Sequence, residues 1–366
     1  MADSLDVFDR IRNLEFPSGL KAEWFPYSLQ FNTPAKTSRG VMHQHQVAYL
    51  KIWHPQYPDQ VGWGEAAPLP GLSIESMGMV EEALNHIAAQ PDKSISMLDS
   101  PLEAVPSAMF ALEQALLDLE KQGQQKPFPS KFTDGRDLIP INGLIWMAQP
   151  NEMAAAIQTK IDEGYPCLKM KIGTSDRNSE MELLHNLRRY FGPEVLEIRV
   201  DANGAFKLHE IDAVLSELGD LAIHSIEQPI APGQWEELAE ICRWSPVPIA
   251  LDEELIGLRS LDEKRELVGT ILPQYLILKP SLLGGFRQAQ DWIDAAEEVG
   301  IHWWATSALE SNVALNSISQ WVYSLQNPMP QGLGTGQLYT NNIEGPLHLD
   351  GPALRFNPDL PWKWPR

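Results

Sequence analysis

Cysteine is nearly missing: Cys167 and Cys242 are the only two in 366 residues. That is too few for a disulfide framework, and they lack the paired spacing of a metal site. A reducing compartment suits such a chain. Basic charge is scarce as well, with 28 Lys and Arg against 49 Asp and Glu, a net of -21, and no Lys/Arg-rich block. This argues against a nucleic-acid partner. The acidic excess reads as a solvated surface, and an anionic substrate would need local cations to bind it. No stretch approaches the roughly 18 consecutive apolar residues of a membrane span. The acidic N-terminus "MADSLDVFDRIRNLEF" has no uninterrupted apolar core of a secretory signal. The expectation is a cytoplasmic protein that engages neither membrane nor nucleic acid. Low-complexity tracts are lacking, and so are GxSxG and HExxH patterns, which removes a nucleophile-elbow hydrolase and a zinc protease of that type. The histidines are scattered and receive no role.

Apolar material is plentiful: 43% of the residues, including twelve tryptophans, enough for a large core. From about residue 140 onward, short apolar runs alternate with helical stretches. The runs are "PINGLIWM", "CLKMKIG", "EIRVDANG", "IHSIEQP", "PIALDEE", "YLILKPS", "IHWWATS" and a weaker "QGLGTG". Between them, segments such as "NEMAAAIQTKIDEGY", "RNSEMELLHNLRRYFG", "WEELAEICRW" and "FRQAQDWIDAAEEVG" repeat apolar residues every three or four positions. Strand then helix, eight times, predicts parallel βαβ units closing into an α/β barrel, with an open doubly wound sheet as the alternative. Residues before about 135 differ. "AYLKIWHPQYPDQVGWGEAAP" predicts a strand pair around a Pro-rich turn, and "PSAMFALEQALLDLEKQG" an amphipathic helix with a glycine stop. "TPAKTSRG", 33 to 40, reads as a polar loop, either a lid or an ordinary solvated connection. The tail after Tyr339 has no helical period and is expected to fold back on another element.

Side chains at alternate strand positions face a barrel's interior, and chemistry collects at the strands' C-terminal ends. Strand two ends in Lys169 and Lys171, strand three in Asp201 and Asn203, strand four in Glu227, strand five in Asp252 and Glu253, strand six in Lys279. The steps from Asp201 to Glu227, Asp252 and Lys279 are 26, 25 and 27 residues, one βα unit each. Such spacing predicts equivalent rungs on consecutive strands converging at the mouth. A lone Asp or Glu at a strand end is usually a helix cap or an ion-pair partner, and a lone lysine usually reaches to solvent. Five charged residues at one-unit spacing on five consecutive strands make that explanation poor. Three carboxylates gathered in a partly dry site need either protons or a divalent cation. Oxygen ligation of this kind selects Mg²⁺, or Mn²⁺ as a substitute, over zinc. Lysines beside such a cation are expected to have their ammonium form disfavoured, which suits proton abstraction. Arg199 precedes Asp201 by two and shares its face, either to bind substrate or to pair with a carboxylate. "GLGTGQ" precedes no helix, so it is no dinucleotide fingerprint; it reads as a tight turn letting backbone approach a ligand.

The set "KMK", "VDANG", "EQP", "LDEE" and "LKP" resembles the enolase superfamily, in its muconate-lactonizing-enzyme-like branch with a Lys-x-Lys motif. "GWGEAAPLPGLS" and "ALEQALLDLE" are similar to that branch's capping domain. "SALESNVALN" and "GLGTGQLYTNN", together with "GWGEAAPLPGLS", resemble its o-succinylbenzoate synthase family. The resemblance implies an α/β fold with a modified (β/α)7β barrel over 136–338. It implies an α+β cap over 1–135, completed by the C-terminal tail, 339–366. It implies that Asp201, Glu227 and Asp252 bind Mg²⁺, with Asn203 and Glu253 behind them. Lys171 would be the base and Lys279 would stabilise the enediolate by its charge. Lys169 would hold the substrate carboxylate and lower its neighbour's pKa. Ser307, Ser311 and the backbone at Gly334 would hold a succinyl tail. The implied activity is Mg²⁺-dependent syn dehydration of 2-succinyl-6-hydroxy-2,4-cyclohexadiene-1-carboxylate to o-succinylbenzoate in menaquinone biosynthesis. The alternatives on the same scaffold are an N-succinylamino acid racemase, a dipeptide epimerase or a cycloisomerase. An epimerase would carry an Asp-x-Asp element near strand seven or eight, and "ATSALES" has none. A Schiff-base aldolase needs no carboxylate triad, and a non-catalytic binding protein would not retain three carboxylates and three lysines.

Overall fold

The computed structural model describes residues 7–37, 40–98, 102, 104–173 and 176–364. The chain opens with a short helix, α1 (Val7–Arg12), and a three-stranded antiparallel sheet of β1 (Lys21–Thr37), β2 (Gly40–Trp53) and β3 (Val61–Ala66) in that order. β1 lies at the edge, where Pro26 costs no ladder bond. Its register to β2 breaks between Gln30 and Ala35 and then resumes to Thr37 opposite Gly40. The segment read as a loop at 33–40 is therefore corrected: its described part is the tip of a bulged hairpin, and residues 38 and 39 lie outside the described residues.

α2 (Met77–Ala89), the single turn α3 (Ser94–Met97) and α4 (Pro106–Glu120) follow. The expected amphipathic character of α4 also needs correction: it is buried from Pro106 to Leu119 on every side. The reason lies in the sheet beside it. Gly62 and Gly64 present no Cβ to the helix, and any Cβ there would run into the carbonyls of Ala115 and Ala111. On the other side Glu113 accepts from Arg287 Nε at 2.9 Å and from Phe286 N at 2.6 Å, tying the helix to the barrel.

Seven short parallel strands then alternate with helices: β4 (Leu138–Pro140) leads in, followed by β5 (Gly143–Ile145), α5 (Pro150–Asp162), β6 (Cys167–Lys171), α6 (Arg177–Tyr190) and β7 (Glu197–Asp201). The series continues with α7 (Leu208–Asp220), β8 (Ser225–Glu227), α8 (Trp235–Trp244), β9 (Ile249–Leu251), α9 (Leu261–Ile271), β10 (Tyr275–Leu278), the turn α10 (Pro280–Leu283), α11 (Phe286–Glu298), β11 (His302–Ala305) and α12 (Asn312–Ser324). β5 through β11 form one sheet in sequence order, every pair parallel. The eighth run, "QGLGTG", is too glycine-rich for a full strand and supplies single parallel bridges, Gln331 to Ile141 and Gly332 to Thr306, which close the circle between β5 and β11. Strands covered on both faces are expected to be apolar throughout, as "IAL" and "YLIL" are.

β12 (Leu347–Asp350) and β13 (Ala353–Phe356) pair with β4 in a third, antiparallel sheet. Beyond it Trp364 stacks on Trp63 of β3, centroids 3.7 Å apart, and earlier Tyr339 bridges to Phe31 of β1. One apolar core runs continuously from α4 into the barrel helices, with Phe110 edge-on to Phe286 at 5.1 Å. A second joins Leu29, Val47 and Tyr49 of the antiparallel sheet to Leu309, Val313, Tyr339 and Ile343. Full burial of side chains of this size contributes about 2–3 kcal/mol each.

Candidate active site

The register sets the depth of each charged residue. Lys171 pairs with Asp201, and Asp201 with Glu227, so these three share a rung. Glu227 lies opposite Ala250, which puts Asp252 one inward position higher; Leu276 lies opposite Leu251, so Lys279 is higher again. The expectation of equal rungs is corrected to a rising one, as the stagger of a closed sheet requires. The residues still meet. Lys169 Nζ is 2.6 Å from Glu227 Oε2 and 2.9 Å from Asp201 Oδ2. Lys171 Nζ donates to Asp201 Oδ2 at 2.9 Å and to Asn203 Oδ1 at 2.6 Å. Lys279, just past β10, pairs with Asp252 at the end of the neighbouring strand β9. Asn203, held in the left-handed region at φ 45°, also donates to Glu253 at 3.0 Å.

These charges are almost dry. Asp201 is 1% exposed, Glu227 and Asp252 2%. Burial pushes the Glu227 carboxyl up to about 8, reinforced by Asp201 and Asp252, against the pull of Lys169 and Lys279. At Asp201 burial is outweighed by Lys169, Lys171 and Lys279, and its pKa falls. Lys169 and Lys279 move opposite to expectation. Burial lowers both, but the carboxylates around them raise them further, so their ammonium forms are favoured. Among the described residues no three His, Cys, Asp or Glu side chains form a ready metal cluster, because the carboxylates turn to ammonium groups. Glu227 Oε1 nonetheless stays buried without a hydrogen-bond partner, and the donor set is carboxylate oxygen, both of which fit a hard divalent cation.

A cavity of about 320 Å³ opens on this cluster. Lys169, Lys171, Asp201, Asn203, Glu253 and Lys279 form its polar floor; Leu69, Leu72, Trp146, Leu309 and Leu338 are the apolar side chains around it. Thr306, Ser307, Gly332, Gly334, Asn142 and Thr335 line the remaining side, where Asn142 Oδ1 and Thr335 Oγ1 are buried without partners.

Two substrate contacts expected from sequence are not there. Arg199 is in the barrel but deeper, bonded to Glu197 at 2.6 Å and to Pro330 O at 2.8 Å, with its guanidinium 4.1 Å from the Trp304 ring centre. Of its two expected roles, pairing holds and substrate binding does not. Ser311 caps α12 and gives its hydroxyl to Glu65 at 2.6 Å, away from the cavity. Ser307 does line the cavity, with its hydroxyl donated to Glu310 at 2.6 Å. Conversely, Leu69, Leu72 and Trp146 were missed. Their signal was available: large apolar side chains inside turn chemistry, "PLPGLS", or just past a strand end, "LIWM".

A closed parallel barrel with lysines facing carboxylates across consecutive strand ends defines an enolase-type enzyme. A family model described as Enolase C-terminal domain-like matches residues 152–357, and the chain belongs to this family. It is 43% identical over 368 residues to the o-succinylbenzoate synthase of Desulfotalea psychrophila, covering 92% of this chain and 99% of that one. The crystal structure of MenC from the same organism superposes with a TM-score of 0.81 at 40% identity, over 92% of this chain and all of that one. The N-succinyl-L-Arg/Lys racemase of Bacillus cereus is 28% identical over 310 residues, 81% of this chain and 82% of the relative.

Proposed function

We infer that this chain is an o-succinylbenzoate synthase, a carbon-oxygen lyase that dehydrates 2-succinyl-6-hydroxy-2,4-cyclohexadiene-1-carboxylate in menaquinone biosynthesis. The observation that carries this reading is the 43% identity to a synthase over nearly the full length of both chains. Residues 1–135 act as the cap, 136–338 as the barrel, and 339–366 as a tail that pairs with β4 and returns to the cap through Tyr339 and Trp364. The partner is a small carboxylate. The compartment is the cytoplasm, consistent with two unpaired cysteines and with no helix among the described residues long and apolar enough to cross a membrane.

The floor carries the proton chemistry. Lys171, in its neutral form, takes the proton from the ring carbon beside the carboxylate. As the ammonium it returns that proton to the hydroxyl leaving from the same face, so water departs syn and the ring becomes aromatic. Asn203 and Asp201 hold Lys171 Nζ in place between the two transfers. Lys169, kept charged by Asp201 and Glu227, binds the substrate carboxylate. Lys279 faces the other side of the ring and stabilises the enediolate by its charge. Asp201, Glu227 and Asp252 would hold Mg²⁺, with Mn²⁺ as a substitute, and the cation would supply Lewis-acid charge to the carboxylate as negative charge builds. The apolar side chains from Leu69 to Leu338 cover the ring and exclude water, while Asn142, Thr335, Ser307 and the backbone at Gly334 face the succinyl arm.

The test is direct. Purified protein with Mg²⁺ and the cyclohexadiene substrate should give aromatic product, followed by ultraviolet absorbance. No product, together with turnover of N-succinylamino acids, would replace this reading with a racemase on the same floor.

A further inference from the structure

The cavity has two walls that come from opposite parts of the chain. One is the turn after β3, with Leu69 and Leu72; the other is the loop after β11, with Thr306 to Leu309. One side chain is hydrogen-bonded to both. His45 of β2 is 1% exposed, with Nδ1 3.0 Å from Leu309 O and Nε2 3.1 Å from Pro68 O. Both partners are backbone carbonyls, which only accept. The imidazolium closes both bonds; burial lowers the His45 pKa, and the neutral ring closes one at a time, its two tautomers serving the two walls in turn.

The loop on the barrel side is under backbone strain. Leu309 sits at φ 65°, a left-handed conformation that disfavours an apolar L-residue. Something must hold it there. Ser307 Oγ accepts from Leu309 N at 2.9 Å, and the Leu309 carbonyl is held by His45 and by Tyr339 OH at 2.5 Å. Glu310 fixes the neighbouring residues by accepting from Ser307 Oγ and from Ala308 N at 2.8 Å. On the cap side the turn is closed by Leu72 N and Ser73 N, both bonded to Leu69 O, one residue past the carbonyl His45 holds.

We propose that His45 is a positioning residue that sets the spacing of the two cavity walls and hence the fit of the substrate. It touches no reacting atom. The proposal rests on the synthase reading for its kinetic arm only.

Asparagine and glutamine separate the two ties. The Asn amide nitrogen stands near where Nδ1 was, and the Gln amide nitrogen near where Nε2 was. His45→Asn should keep the barrel tie and release the cap turn; His45→Gln should do the reverse. Hydrogen exchange in the full-length protein reads this without turnover. The Leu72 and Ser73 amides should exchange about 10-fold faster in His45→Asn, and the Ala308 and Leu309 amides about 10-fold faster in His45→Gln, as expected for one hydrogen bond. In the dehydration assay each variant should raise KM about 10-fold with kcat within about threefold, the pattern of lost uniform binding. His45→Phe, which fills the volume with neither tie, should raise KM most. The proposal is overturned if KM stays within about twofold in the Asn and Gln variants, or if both loosen the same amides. If the unmodified protein gives no aromatic product, the synthase reading fails, and the exchange pattern still decides whether His45 ties the walls.

Discussion

The barrel carries charge at both ends on the same strands, and the two ends behave differently. At the mouth, Lys171, Asp201 and Glu227 share a rung lined by a cavity. Two residues earlier on those strands, Lys169 pairs in register with Arg199 and Arg199 with Ser225, and at the bottom Cys167 pairs with Glu197. There Glu197 accepts from Arg199 and, at 3.2 Å, from Cys167 Sγ, and the guanidinium rests on Trp304. The lower group is a single ion pair, Arg199 with Glu197, although Arg199 Nη2 is buried without a hydrogen-bond partner. The upper group is a set of competing charges in which Glu227 is forced up, Asp201 down, and one carboxylate oxygen is left unpartnered. Alternation along a strand decides which way a side chain points; the partners it meets decide whether it faces the cavity, since Lys169, level with Arg199, reaches Asp201 and Glu227 while Arg199 is turned to Glu197.

Lys171 carries the largest expected effect. Lys171→Ala should lower kcat for dehydration by on the order of 10³-fold or more, with a thermal midpoint near that of the parent, measured by ultraviolet turnover and circular dichroism. Retained turnover would remove Lys171 as the base.

A buried carboxylate outside both ends supplies the next effect. Glu65 of β3 is fully buried under α12 and accepts from Ser311 and Ala314, yet burial pushes its pKa from 4.5 to about 7. The folded state thus binds a proton that the unfolded state releases between those values. The stability it contributes is complete below pH 4.5 and lost as pH rises through about 7, a total of about 3 kcal/mol. Asp118, pushed up to about 8 by burial, adds in the same direction. Chemical denaturation at pH 5 and pH 8 should show this fall, and Glu65→Gln should make it shallower while the Asp118 part remains; an unchanged slope would remove Glu65 as a source. At the mouth, Glu227→Gln should weaken Mg²⁺ binding by about 10-fold or more in calorimetry; unchanged binding would exclude Glu227 as a ligand.

Much of the barrel was legible in the sequence alone. The seven strands stood out because a parallel sheet covered on both faces needs unbroken apolar runs, and the mouth stood out because one charged group recurred per βα unit. What sequence did not carry was depth and partnership. Arg199 obeys the alternation rule and still lies below the cavity, held by Glu197. Ser311 looks like a ligand group until α12 is seen to begin there, where a serine caps the helix. α4 has helical spacing, but no local pattern announces that two glycines on β3 let it be buried all round. His45 had no motif about it at all, since its partners are carbonyls distant in sequence.

Arg199→Met, measured for both kinetics and stability, decides whether Arg199 belongs to the chemistry or to the scaffold. The expected result is kcat/KM for dehydration within about threefold of the parent and a loss of about 1–3 kcal/mol in stability, because Glu197 and the Pro330 carbonyl lose their partner. A folded Arg199→Met protein whose kcat/KM falls as far as that of Lys171→Ala would contradict it, by placing Arg199 inside the active site.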